Sequence, residues 1–345
     1  MIDMNNQLKQ RFKQFAKNEC DNSSRLYEYL SLKIADDEEI LDLCSFAEGG
    51  QPIPNLLFGS IHYLLMNGKH HPLEEFFPSL VKTPKKLEDS YPYFQDFCKK
   101  FRKEIIHLIQ TKIVQTNEVR RCAYLYPSFS YIYQMVNKPI SLIEIGTSAG
   151  LQLLWDQYKY TYSSSETIYG NKKSNVLIGS EVKDNGPTIL PLLDIVPPVV
   201  DRYGIDLHVN DLSNEEDYLW LKALIWPEHF ERRELFEKAV ISMKENEINL
   251  IEADGIKILP EVVKQLSNDS ILCIFHTHVA NQIPVEGKQS LLKIIEVISE
   301  NRDVFHLYNN IWDRMLHLDY YIDGVKHEEI IGETEGHGKW FEWRI

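Results

Sequence analysis

Apolar positions in the first third of the chain recur at three- and four-residue steps. In "YFQDFCKKFRKEIIHLIQ", Phe94, Phe97, Phe101, Ile105 and Ile109 fall on one stripe, the spacing of an amphipathic helix. "DDEEILDLCSFA" places acids in a first turn ahead of Ile40, Leu41, Leu43, Cys44, Phe46 and Ala47, as a helix N-terminus favours. "PIPNLLFGSIHYLLMNG" opens on proline and stops at Gly68. No stretch here alternates convincingly, so residues 1–138 are expected to form an all-α N-terminal cap domain.

From residue 139 to 345 the pattern changes to alternating strands and helices. Strands are expected at 140–145, from about 175 in "NVLIGSEV", and in "INLIEAD", "SILCIFHT", "DVFHLYNN", "MLHLDYYID" and "KWFEWRI". Helices are expected at 149–158, about 214–225, about 228–246, 256–267 and 286–299. The last two strands are joined by "GETEGHG" with no helix between them. The predicted fold is therefore α/β: a Rossmann-like, mostly parallel sheet ending in an antiparallel C-terminal hairpin.

Composition narrows the classes. The chain has 345 residues, of which 43% are hydrophobic, enough for a real core in two domains. A net charge of −14 argues against general nucleic-acid binding. The five cysteines are scattered, with no C-x-x-C, which reads as reduced thiols of a cytoplasmic protein. No apolar run approaches the ~20 residues of a membrane span, so no membrane partner is expected.

The candidate chemistry centres on "SLIEIGTSAGLQLLWD", residues 141–156. An apolar strand ends in Glu144, and a turn of small residues comes next. "GTSAG" spells G-x-S-x-G, the frame of a serine nucleophile elbow at Ser148. Such an elbow needs an oxyanion loop, and no glycine lies between Gly68 and Gly146 to supply one. A cofactor cradle explains more residues. Gly146 and Gly150 let the backbone turn and approach a ligand, Ser148 and Ala149 leave room, Thr147 belongs to the same cofactor-binding turn, and the next helix points free N–H groups at it. Glu144 would repel a pyrophosphate and suit a cationic ligand, which points from NAD towards S-adenosylmethionine. The serine hydrolase and a non-catalytic binding protein remain the alternatives.

"EIGTSAG" resembles the first motif of class I S-adenosylmethionine-dependent methyltransferases, an acid followed by G-x-G-x-G, with Ser148 in place of the middle glycine. More closely, the chain resembles an uncharacterised bacterial domain-of-unknown-function family with a methyltransferase-like half. The likeness runs through "PNLLFGSIHYLL", "HPLEEFFPSL", "QTNEVRRCAYLYP", "EIGTSAGLQLLWDQYKY", "RYGIDL", "WPEHFERRELFEKAV" and "FHTHVANQI". It implies S-adenosylmethionine as cofactor and leaves the acceptor, expected to be a small molecule, open. On that fold Glu181 would close the second strand and hold the ribose, with Asp206 or Asp211 as rivals. Asp254, in the segment resembling the one after the third strand, would accept from the adenine amino group or else cap a helix. His276, at the end of the fourth strand, would be the general base, with His278 two residues on and on the same face. Asn117, Glu118 and Arg121 would reach the pocket from the helical domain. The histidine pair, with His306, lacks a third ligand at recognisable spacing, so no metal is expected.

Overall fold

The computed structural model describes residues 2–163, 165–184 and 189–345. The chain divides into two compact units: Met1–Thr116 with Ser213–Glu234, and Asn117–Leu212 with Leu235–Ile345. The expected boundary at 138/139 thus falls earlier, and a later segment joins the first unit.

The first unit is built of helices, and their starts follow capping rules. Ser24 Oγ accepts from the Tyr27 amide ahead of helix Arg25–Ile34, and Asp37 accepts from Glu39 and Ile40 ahead of helix Glu38–Cys44. Helix Ile53–Met66 buries nearly its whole length, and Phe58 stacks on Tyr27 at 4.1 Å. The returning segment explains "WPEHFERR". Glu228 accepts from the Ser24 hydroxyl at 2.7 Å and the Leu26 amide at 2.9 Å, and Trp226 donates to Asn55 Oδ1 at 3.1 Å. These residues fasten the N-terminal helices together.

The second unit contains the main sheet. Its strands are β1 (Ile140–Ile145), β5 (Val199–Asp206), β6 (Asn249–Glu252), β7 (Ile271–His276), β8 (Val304–Tyr308), β9 (Met315–Ile322) and β10 (Val325–Glu333). They lie in the order β10-β9-β8-β7-β1-β5-β6. All pairs are parallel except β8–β9 and β9–β10. A separate sheet has the order β11-β4-β2-β3, from β2 (Lys159–Tyr162), β3 (Tyr169–Gly170), β4 (Leu177–Asp184) and β11 (Trp340–Trp343).

Two strand assignments change. The hairpin partner of β9 is β10, a strand the sequence pattern does not announce, because most of its residues from Val325 to Glu329 are exposed. "KWFEWRI" instead pairs parallel with β4 in the second sheet. The strand beside β1 is β5, not the "NVLIGSEV" strand β4, so Glu181 lies on a different sheet from Glu144.

The two faces of the main sheet are distinct. Glu144 is in register with Phe275, and Phe275 meets Phe129 of helix Cys122–Val136 at 5.4 Å. Ile143 and Ile274, one residue earlier on each strand, face the opposite way. They pack with Leu259 and Val262 of helix Gly255–Val263 and with Leu291 and Ile295 of helix Val285–Ser299.

Candidate functional site

The switch point of the sheet lies between β1 and β7, because chain order runs outward from β1 in both directions. Ligands of open α/β sheets bind outside the carboxyl ends of the strands at such a point. The turn 146–150 comes after β1 and residues 277–279 come after β7.

Glu144 is 2% exposed and accepts from the Thr147 hydroxyl at 2.6 Å. Burial pushes its carboxyl up to about 8, against the opposing pull of that hydrogen bond. Gly204, on the neighbouring strand, makes room for Thr147: a Cβ there would stand 2.6 Å from Thr147 Oγ1. Gly146 has a φ of +76°, and a Cβ on it would meet Val279 Cγ2 at 2.0 Å. Its lack of a side chain therefore serves the close approach of the β7 loop as well as the turn.

Every amide of the turn has a partner in the protein. Gly146 and Thr147 donate to the Ile205 carbonyl at 2.7 and 3.3 Å, and Gly150 donates to Thr147 at 2.9 Å. Ser148 N–H donates to Asp206 Oδ2 at 2.7 Å, and Ala149 N–H donates to Asn117 Oδ1 at 3.2 Å. The next segment is not the expected α-helix. Leu151–Gln157 is a run of 3-10 turns interrupted at Leu154 (φ −99°, ψ 19°), and the Leu153 amide donates back to the Gly150 carbonyl at 3.1 Å.

Ser148 has a φ of +53° and is 4% exposed. Its hydroxyl accepts from the side-chain amides of Asn117 (2.8 Å) and Asn210 (3.0 Å). Asn117 Oδ1 takes the Ala149 amide, so its Nδ2 must face the serine. A nucleophile would donate to a base, whereas this hydroxyl is surrounded by donors. The geometry gives the hydrolase reading no support.

The other expected residues scatter. Asp206 closes β5 and accepts from Ser148 and His208 amides, which puts it beside the turn where Glu181 was expected. Glu181 is exposed and lines an open cavity of about 540 Å³ with Ser163, Ser180 and Lys339. Asp254 caps helix Gly255–Val263, accepting from Ile256 and Lys257 amides, and is paired with Lys257 Nζ at 2.9 Å. That pairing holds its carboxyl below the usual range. Asn117, Glu118 and Arg121 belong to the unit that carries the sheet, not to the helical one. Glu118 is buried and accepts from the Arg120 amide.

His276 departs furthest from expectation. It lies in the row of Ile274 and His306, on the face opposite Glu144, and is fully buried. Neither ring nitrogen has a hydrogen-bond partner in the protein, and burial lowers its pKa to about 3. A buried imidazole that resists protonation is a poor general base. His306 stands 5.2 Å away, centroid to centroid, and its Nε2 also lacks a partner. Among the described residues no group of three or more metal-ligating side chains comes together. His278 does not share the face of His276, because the strand ends and its φ of +60° turns the chain.

Two residues that sequence reasoning left in the background are central here. Val279 covers Gly146, and Asn210 holds Ser148 from the β5 side. Neither side chain announces a role by its type, and only the fold brings them to the turn. All five cysteines are buried and free, and no helix among the described residues is long and apolar enough to cross a membrane.

A family described as "Uncharacterized protein conserved in bacteria (DUF2332)" matches residues 9–343. The chain belongs to the DUF2332 family. No curated protein and no solved structure matches it. In this DUF2332 chain the motif segments divide by role. "WPEHFERR" builds the helical unit, while "EIGTSAG" and "FHTHVAN" form the two loops at the switch point.

Proposed function

We propose that the protein is an S-adenosylmethionine-dependent methyltransferase acting on a small-molecule acceptor. One observation carries the reading: strands β6-β5-β1-β7-β8 run parallel in that order, with carboxylates Glu144 and Asp206 at the ends of two adjacent strands beside the switch point. A buried carboxyl at the end of β1 favours a ligand that brings positive charge, because such a charge stabilises its ionised form. Asp206 offers two acceptor oxygens at the end of the next strand, the position suited to a ribose diol. The cofactor supplies a methyl group activated on a sulfonium. The chain's own part is to bind, orient and exclude water.

Entry requires Val279 to leave Gly146 and Asp206 to give up the Ser148 amide. Calorimetric titration of the full chain with S-adenosylmethionine and S-adenosylhomocysteine tests this. Binding is expected, is tightened in Val279→Ala and weakened in Glu144→Gln. Since the incoming charge draws a proton off Glu144, affinity should rise from pH 6 to pH 8. Absence of heat at high micromolar ligand in both the parent and Val279→Ala would overturn the reading.

A second reading, a binding protein of this fold without turnover, is favoured by the filled turn and by the place of His276 away from it. Ligand binding with no methyl transfer to any acceptor in a broad screen would select it.

A further inference from the structure

We propose that Arg121, Tyr124 and His278 form a site for an oxyanion, the carboxylate or phosphate group of the acceptor. The role of acceptor rests on the methyltransferase function proposed for this chain, whereas the anion site itself does not.

Arg121 is 7% exposed. Its Nε donates to the Gly336 carbonyl at 2.9 Å, and its Nη1 lies 3.4 Å from the Thr277 carbonyl and 3.3 Å from the Thr277 hydroxyl. All three acceptors are neutral. Among the described residues no carboxylate comes within ion-pair distance of Arg121, and its Nη2 has no protein partner. Buried guanidinium groups are paired as a rule, since an uncompensated buried charge costs several kcal/mol. Glu144 lies within its electrostatic reach, and burial keeps that carboxyl largely protonated at neutral pH.

Two further donors point the same way. Tyr124 lies one helical turn beyond Arg121, on the same side. It is fully buried, and its hydroxyl lies against the Thr277 side chain without a well-formed hydrogen bond. A buried hydroxyl without a partner is uncommon and calls for an explanation.

The tautomer of His278 follows from its neighbours. Its backbone N–H donates to Asn309 Oδ1 at 2.7 Å, which fixes that amide. Asn310 Nδ2 donates to the same oxygen at 2.8 Å, which fixes the second amide. Asn310 Nδ2 then faces His278 Nδ1 at 3.3 Å, so Nδ1 is the acceptor and the proton sits on Nε2. That Nε2–H is buried and unpartnered. Arg121 and His278 meet at Gly336: the arginine bonds its carbonyl, and the His278 Cε1 would stand 3.9 Å from a Cβ placed there. Three donors and no acceptor suit an anion. Ser148, His278 and Asn310, after three neighbouring strands, are all left-handed non-glycine residues, the kind of backbone strain that clusters at binding sites.

The test is thermal unfolding of the full chain with inorganic phosphate or acetate, against chloride at equal ionic strength. Phosphate or acetate should raise Tm by about 3 °C when near-saturating. Which of them acts identifies the group. Arg121→Gln should lose the rise. Tyr124→Phe guards against a folding defect, since it deletes only a hydroxyl that makes no well-formed hydrogen bond: its Tm without the anion should match or exceed the parent, and its anion-dependent rise should shrink. No anion-specific rise in the parent, or an equal rise in Arg121→Gln and Tyr124→Phe, overturns the proposal. An anion effect without S-adenosylmethionine binding would keep this site and remove the methyltransferase reading. The reverse result would remove this site alone.

Discussion

The ends of β1 and β7 are neighbours in one sheet, yet they treat polar groups in opposite ways. After β1, all five amides of the turn 146–150 are bonded within the protein, and the Ser148 hydroxyl has two donors. At the end of β7, both nitrogens of His276 and the Nε2 of His278 have no partner. Tyr124 and Arg121, at the start of the helix beside it, add a hydroxyl without a well-formed hydrogen bond and a guanidinium without a carboxylate partner. A buried polar group without a partner costs roughly 1–3 kcal/mol, so chemistry is more readily sought where such groups persist than where a motif has been saturated. The loop with the recognisable sequence is the closed one. The unspent hydrogen-bonding capacity lies next door.

The largest effect is expected at Gly146. Its φ is positive, and Val279 would stand 2.0 Å from a Cβ on it, which leaves no room for a methyl group. Gly146→Ala is expected to destabilise the protein by about 3 kcal/mol, measured by urea unfolding. Val279→Ala in the same background should recover part of that loss, and failure to do so would mean that the two loops do not share the contact.

Glu144 gives the next largest effect, with a sign that is the reverse of a usual carboxylate. Its pKa rises from 4.5 unfolded to about 8 folded, so the native state holds more protons between those values. Stability attributable to this group is present below pH 4.5 and is lost as pH rises towards 8, at up to about 1.4 kcal/mol per unit. Glu144→Gln should flatten that limb of the stability profile. An unchanged slope would show that the carboxyl is already ionised at neutral pH.

Much of this architecture was legible in the sequence, for physical reasons. Strand β1 is mostly apolar and buried at every position, and helix Val285–Ser299 has a regular stripe, so both announce themselves through burial. Strand β10 stayed hidden because its exposed "VKHEE" has no face to bury. Glu181 misled because the carboxyl end of a strand looks the same whichever sheet the strand joins, and sheet membership is decided by non-local pairing with β2 and β11. His276 and His278 misled through periodicity: alternation holds only while the strand continues, and the chain leaves it after His276. The contacts of Val279, Asn210 and Asn310 are likewise long-range and carry no local signature.

Ser148→Ala sharpens the contrast at the saturated end. Removing the hydroxyl leaves the side-chain amides of Asn117 and Asn210 without the acceptor they share. A loss of about 1–2 kcal/mol is expected in denaturant unfolding, with no loss of labelling by a serine-directed fluorophosphonate, because none is expected in the parent. Labelling of the parent that disappears in the variant would restore the nucleophile reading.

The smallest neutral-pH effect should come from His276→Leu, because it removes a group that makes no hydrogen bond. Leucine is of similar size and spares the fold a buried imidazole, so at pH 7 stability should match the parent or exceed it by up to about 1 kcal/mol. The two proteins should separate in acid. Burial lowers the pKa of His276 from 6.5 to about 3, so the unfolded chain takes up a proton that the native one refuses between those values. The parent therefore loses stability as pH falls below 6.5, and the variant should lose less. Coincident acid profiles would mean that the imidazole is bonded in solution, and the end of β7 would then be as saturated as the end of β1.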